Sequence, residues 1–308
     1  GSAAIYVADN NSPDDSVTYL QTHFPEVNLI RHSRNLGFCE GYNQALLQIP
    51  TDYYVLLNSD VEVTPDWVNP IIRLMEANAG IAACQPKIKS LHHRNFFEYA
   101  GAAGGQLDRF GFPFCRGRLF QELEKDTGQY NDITPVFWAT GACMFVRASI
   151  FHAVGGLEPA FFAHMEEIDI CWRLQNQGYK IMYCGQSTVY HVGGGTLPKA
   201  NPHKTFLNFR NGLALLLKNL PEPSLHATIL LRLLLDWIAA FKFLLEGQSA
   251  DARAVVQAHK AIWQQRHYWL QKRREWAPKK KTHLAGWYNG SIVWAFFIRR
   301  LKKYSDLN

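Results

Sequence analysis

Three short polar clusters carry residue types able to hold a nucleotide or a cation: Asp9-Asn10-Asn11-Ser12, Asn35-Leu36-Gly37-Phe38 and Asn58-Ser59-Asp60. Each taken alone reads as turn or cap chemistry, since Asn, Asp, Ser and Gly satisfy local backbone groups there. A fourth cluster, Phe161-Phe162-Ala163-His164-Met165-Glu166-Glu167-Ile168-Asp169, sets three carboxylates within four positions. In the first turn of a helix such acids complement the dipole, by about 0.3–1 kcal/mol each. These acids follow a Phe-Phe pair instead of a solvated loop, however, and like charges so close raise one another's pKa, which keeps a general base near neutral pH. The last candidate is His191, in Tyr190-His191-Val192-Gly193-Gly194-Gly195. Beside Asp60 it would complete a hard-cation site of carboxylate, imidazole and diphosphate oxygens, suited to Mg²⁺ or Mn²⁺.

Such clusters need elements to position them. Residues 3–8, 27–31 and 52–57 are apolar, β-prone runs, and residues 14–23, 42–48 and 65–78 carry helical apolar spacing. The polar clusters fall in the loops between, including a loop over 35–41. Strand and helix alternating at this pitch predict an α/β fold with a doubly wound, mostly parallel sheet, whose ligands sit beyond the carboxyl ends of the strands. Residues 81–150 turn rich in glycine and aromatics, an irregular, partly antiparallel stretch ending in a buried strand within 136–147. Residues 166–177 read as a helix stopped by Gly178, 180–183 as a strand and 208–220 as a further helix. Pro221-Glu222-Pro223 marks the boundary between a domain at 1–220 and a region at 221–308.

With 308 residues, 47% of them hydrophobic and 19% charged, the chain can fill a large core, and disordered and collagen-like classes are excluded. Six cysteines without a C-x-x-C pair argue against a zinc ribbon or a disulfide framework and point to a reducing compartment. The first residues have neither the basic nor the apolar region of a signal peptide. The net charge of +6 is uneven: residues 1–217 hold 16 basic and 20 acidic side chains, residues 218–308 hold 16 and 6.

The order of the motifs is more specific than any one of them. DNNS at 9–12, NLGFCEGYNQA at 35–45, LLNSDV at 56–61, TGACMFVR at 140–147, GGLEPAFFAHMEEIDICWRLQNQGYKI at 155–181 and VYHVGGGT at 189–196 resemble the family 2 glycosyltransferases of the GT-A fold, in particular the bacterial rhamnosyltransferase-like group. The resemblance implies an inverting transfer of a sugar from a UDP or dTDP donor to a lipid-linked glycan in surface polysaccharide synthesis. It implies that Asp9 contacts the uracil or thymine ring and that Asn35 and Gly37 close over the nucleoside, with Asn11, Asn43, Asn58 and Ser59 on the same nucleotide side. Asn58-Ser59-Asp60 takes the place of the D-x-D motif with its first aspartate replaced, so Asp60 and His191 become the protein ligands of Mn²⁺ or Mg²⁺. Glu167 falls at the catalytic base, flanked by Glu166 and Asp169 as supporting acids, and Trp138 and Phe162 offer an aromatic wall to the acceptor. The family's first strand and helix precede the DNNS strand, so the chain reads as starting roughly 30 residues into that plan, the length of one βα unit.

Residues 225–245 (LHATILLRLLLDWIAAFKFLL) are long enough to span a bilayer, but Arg232, Asp236 and Lys242 break the run. With Glu246 they fall within an arc of about 120° at 100° per residue, leaving a wide apolar face. Together with Lys272-Arg273-Arg274, Lys279-Lys280-Lys281, Trp287, Trp294 and Arg299-Arg300 this predicts a peripheral anchor on an anionic membrane surface, the cytoplasmic face of a bacterial inner membrane. Nucleic acid is disfavoured as a partner by so broad an apolar face. A sugar nucleotidyltransferase would need a Gly- and Arg-rich loop near the first strand that is not seen. A non-catalytic, membrane-peripheral scaffold of the same fold is the alternative from another class.

Overall fold

The computed structural model describes residues 3–193, 201–277 and 283–307. The chain opens with β1 (Tyr6–Asp9), α1 (Ser16–His23), β2 (Asn28–Arg31) and α2 (Gly37–Leu46), and β1 pairs in parallel with β2 as a small sheet of its own. β3 (Tyr53–Leu57), β4 (Val61–Val63), α3 (Asn69–Ala77) and β5 (Ile81–Ser90) follow, so the expected alternation of strand and helix runs through this half except at β4, a short strand in the stretch expected to be a loop between residues 57 and 65. The loop expected over 35–41 is shorter than predicted. α2 already begins at Gly37, because the Phe38 and Cys39 amides donate to the Phe162 carbonyl at 2.9 and 3.3 Å. A helix start needs acceptors for its first N–H groups, and this one comes from far along the chain.

The irregular stretch builds an antiparallel ladder of β6 (Gly105–Asp108), β7 (Pro113–Cys115), β8 (Arg118–Leu119) and β9 (Glu122–Leu123). Then come β10 (Ile133–Pro135), β11 (Cys143–Arg147), α4 (Ala148–Ala153), α5 (Glu166–Asn176) and β12 (Lys180–His191). The central sheet is ordered β10-β12-β5-β11-β3, with β4 on the far part of β12. It is mixed, which corrects the expectation of a mostly parallel sheet: only β12 against β5 is parallel, while β11 is antiparallel to both β3 and β5. The physical reason lies in the connections. Parallel neighbours need a crossover, usually helical, and no helix lies between β5 and β11, whereas α5 supplies one ahead of β12. Cys143 to Val146 are fully buried, which fits β11 to the interior of the sheet.

After β12 the chain is helical: α6 (Pro202–Asn219), α7 (Glu222–Leu245), α8 (Ser249–Gln264) and α9 (Arg266–Trp276), closed by β13 (Trp287–Tyr288). Asn201 caps α6 by accepting the His203 amide at 2.9 Å, with Pro202 in the first turn. Pro221 separates α6 from α7, and residues on both sides of it share one core. Trp269 of α9 is fully buried and stacks on Phe161 at 5.4 Å, and β13 pairs in parallel with β6.

α7 is inside out relative to an ordinary surface helix. Arg232 and Asp236 are buried, paired at 2.8 Å, with Arg232 also donating to the Phe110 carbonyl and His259 of α8 3.2 Å from Asp236. The outer face is apolar: Leu230, Leu234, Trp237, Ile238, Phe241 and Leu245 are each more than half exposed. Among the described residues no helix is long and apolar enough to cross a membrane.

Candidate active site

The two nucleotide-type loops are stitched together by Asn10. Its Nδ2 donates to Asn35 Oδ1 at 3.1 Å and to the Gly37 carbonyl at 3.0 Å, and its Oδ1 accepts the Leu36 amide at 2.9 Å. Asn35 in turn accepts the Gly37 amide at 2.8 Å. Gly37 has φ +75°, and a Cβ there would lie 2.5 Å from the Phe162 ring, so both conformation and space require glycine. Asp9 is buried and accepts the Ser12 amide at 3.1 Å; the Ser12 hydroxyl first, with this amide, holds its carboxyl below the usual carboxylate range against burial. Asn11 is exposed with φ 64°. Asn43 faces the other way from these loops: its amide donates to and accepts from the Leu157 backbone at 2.7 and 2.9 Å, bracing α2 against the segment that leads to the acids.

The loop after β3 carries Asn58, Ser59 and Asp60. The Asn58 amide donates to the Ala142 carbonyl at 3.0 Å, and Ser59 is exposed. Asp60 Oδ1 lies 3.1 Å from His191 Nε2, brought there by the antiparallel pairing of β4 with the end of β12. His191 is buried, and its Nδ1 lies 3.0 Å from Glu98 Oε2, at an angle off a proper hydrogen bond. Burial works to lower the imidazole pKa, but Glu98 and Asp60 together outweigh it and hold it above the ordinary histidine value. Glu98 belongs to no motif, so nothing in the sequence marked it.

Among the described residues no three His, Cys, Asp or Glu side chains form a ready-made metal cage. Asp60 and His191 nevertheless fit a cation that keeps most of its coordination for diphosphate oxygens and water, as Mg²⁺ and Mn²⁺ do. A carboxylate beside the far nitrogen of a ligating histidine is the usual way to fix its tautomer, and Glu98 stands in that position. The expected glycine loop continues into Gly194 and Gly195, which lie outside the described residues, as do Lys279, Lys280 and Lys281 of the tail.

Phe162, His164 and Met165 have φ values of 65, 69 and 73°, left-handed conformations that cost a non-glycine residue roughly 1–2 kcal/mol each. This turn delivers Glu166 and Glu167 to the start of α5. Glu166 is buried and Glu167 partly exposed, and the Oε2 atom of each has no hydrogen-bond partner among the described residues. Burial, with Glu167 beside it, pushes Glu166 well above the usual carboxylate range, and burial pushes Glu167 up to about 7. Phe162 is exposed at the mouth of the site, its ring over Gly37.

Two expectations are corrected. Asp169 takes no direct place beside the base: it is fully buried and turned inward, with Arg173 Nε at 2.9 Å, Lys218 Nζ at 2.8 Å and Asn219 Nδ2 at 2.8 Å, and only its charge reaches the pair, as a minor contribution that raises Glu166. Burial would raise its pKa, but Lys218 and Arg173 outweigh burial and lower it. One turn into the helix its side chain faces the core, where a carboxylate must be paired. Trp138 is no acceptor wall either. It is buried against Gly105, its Nε1 donating to the Gln106 carbonyl at 2.9 Å.

Residues 3–155 match the family described as "Glycosyl transferase family 2". The N-acetylglucosaminyl-diphospho-decaprenol L-rhamnosyltransferase of Mycobacterium tuberculosis is 23% identical over 202 residues, 61% of this chain and 66% of its own length. Rhamnosyltransferase WbbL of Escherichia coli is 29% identical over 136 residues, 43% of this chain and 49% of its own. The chain therefore spans about half to just under two thirds of these relatives. A crystal structure of GalNAc-T7 with UDP, GalNAc and Mn²⁺ superposes with a TM-score of 0.52 at 14% identity, covering 70% of this chain and 41% of that one, which shows a shared fold. With the motifs standing in family order, residues 3–155 belong to the family 2 glycosyltransferases.

Proposed function

We propose that the protein transfers a hexose, rhamnose or a close relative, with inversion and with a divalent metal, from a UDP or dTDP donor to a hydroxyl of a lipid-linked glycan in surface polysaccharide synthesis. The observation that carries this reading is the carboxylate pair Glu166 and Glu167, each with an Oε2 atom left without a partner, bolted to a nucleotide-type loop through Phe162. The relatives named for rhamnosyl transfer, one of them to a decaprenol-linked sugar, support the donor and acceptor classes.

In this reading Asp9, Asn35 and Gly37 seat the nucleoside, and Asp60 with His191 face the diphosphate. Mn²⁺ or Mg²⁺, when bound there, neutralises charge on the leaving diphosphate. Glu167 takes the proton of the acceptor hydroxyl as that oxygen attacks C1 and the C1–O bond to the diphosphate breaks on the opposite face. Glu166, buried beside it and pushed well above the usual carboxylate range, leaves Glu167 as the group that ionises first. Release of nucleoside diphosphate from UDP- or dTDP-sugars with Mn²⁺ tests the activity, and failure of both donor classes would refute it.

The same reading puts the protein on the cytoplasmic face of the bacterial inner membrane. The outward leucine and tryptophan face of α7 covers an arc of about 140° at 100° per residue. Exposed Trp263, Trp294 and Phe297 and the excess of basic residues after 217 add aromatic and cationic contacts of the kind interfacial helices make. Changing Trp237, Ile238 and Phe241 together to Ser should release the protein from anionic vesicles in a flotation assay while the fold is kept, because all three point outward. Wild-type binding should fall with added salt. Vesicle binding unchanged in the triple variant would contradict this placement.

A further inference from the structure

The left-handed turn ahead of the acids leaves a row of carbonyls that no helix or strand serves. Every carbonyl from Ala160 to His164 instead accepts from elsewhere. Asn211 Nδ2 reaches the carbonyls of Phe161, Ala163 and His164 at 3.1, 2.8 and 2.7 Å. Arg210 Nη2 donates to those of Ala160 and Phe161 at 3.0 and 2.8 Å, and the Phe162 carbonyl takes the Phe38 and Cys39 amides. Arg210 Nε also donates to Asn211 Oδ1 at 2.8 Å, which orients the amide so that its NH₂ group faces the turn.

Asn211 is fully buried in the middle of α6. Asparagine is a poor residue for a helix interior, and a buried amide must be bonded. Both facts are accounted for if its purpose lies in the turn. Three non-glycine positions with positive φ among the four residues 162–165, directly ahead of one pair of acids, are a strained conformation that persists only where surrounding contacts hold it.

We propose that Asn211, braced by Arg210, is a positioning residue: it holds the 161–165 turn in its left-handed form and so sets where Glu166 and Glu167 stand relative to the acceptor. The inference rests on the sugar-transfer reading. Removing the brace lets the turn relax and shifts the base by a fraction of its reach, and misplacement by about 1 Å costs on the order of 10²-fold in rate. The metal pair at Asp60 and His191 is held by β4 and β12 and has no share in this bonding.

The test uses Asn211→Ala and, in case that buried change impairs folding, Arg210→Lys, which keeps the charge but loses the fork. Expected is a fall in kcat of roughly 10–100-fold, smaller for Arg210→Lys, with donor KM and Mn²⁺-dependent nucleotide affinity within about threefold of wild type. Hydrogen exchange at the Phe38 and Cys39 amides, which report the Phe162 carbonyl, should speed up in both variants. Wild-type kcat in both, or donor affinity falling in step with kcat, would overturn the proposal. Should the wild-type protein transfer no sugar, the transfer reading fails by itself; unchanged exchange at Phe38 and Cys39 would separately refute the brace.

Discussion

Glu167→Gln is expected to lower sugar transfer by roughly 10²–10⁴-fold, the usual cost of losing a general base. Nucleotide binding and melting temperature should stay near wild type, since the amide is nearly isosteric and the side chain has no ion pair to lose. A base acts only when deprotonated, so with burial holding Glu167 at about 7 the rate should climb with pH toward that value and then level. For stability the sign is the reverse. A carboxyl whose pKa is raised on folding binds its proton more tightly in the folded state, so its contribution is present below the unfolded value and lost as pH rises through about 7. Asp169 offers the contrast: Asp169→Ala would leave Arg173 buried without its carboxylate and Lys218 with Glu158 alone, a loss of about 3 kcal/mol in stability by denaturant titration. Normal transfer by Glu167→Gln, with Glu166→Gln inactive, would move the base one residue.

The second large effect belongs to the metal pair. Asp60→Ala and His191→Ala should each abolish Mn²⁺-dependent binding of UDP or dTDP in calorimetry. Glu98→Gln, which disturbs the histidine from behind, should weaken it by the 10–100-fold typical of an outer partner. The order of the three separates direct ligands from support. Equal Mn²⁺ dependence in Asp60→Ala and wild type would remove the metal from this site.

The alternation of strand and helix up to β5 was legible because each element there carries its own period and its own turn residues. The placement of β11 was not: an apolar run buried on both faces has the same composition whichever way it points, and its direction depends on the missing crossover. The start of α2 at Gly37 was hidden for a related reason, since the acceptor for its first amides is the Phe162 carbonyl. Within the site, the polar clusters announce themselves by type and position at strand ends. Spacing also separates Glu166 and Asp169 from Glu167 on the helix, and the two former are the buried ones. What spacing does not show is that Lys218 and Asn219, from α6, would claim Asp169. Glu98, Asn211 and Arg210 were silent because each acts on a backbone or side chain far away in sequence, although an asparagine inside an apolar helix is a signal worth following. In α7 the charge arc was readable, but which side of the helix faced the protein was decided by the buried Arg232–Asp236 pair.

The proposed transfer is a single displacement at C1 with one carboxylate as base. The anomeric configuration of the transferred sugar, read by NMR from the first product formed with the nucleotide-sugar that turns over, tests it most directly. A product inverted relative to the donor is expected. A product that retains the donor's configuration would require a second displacement and would contradict the mechanism built on Glu167.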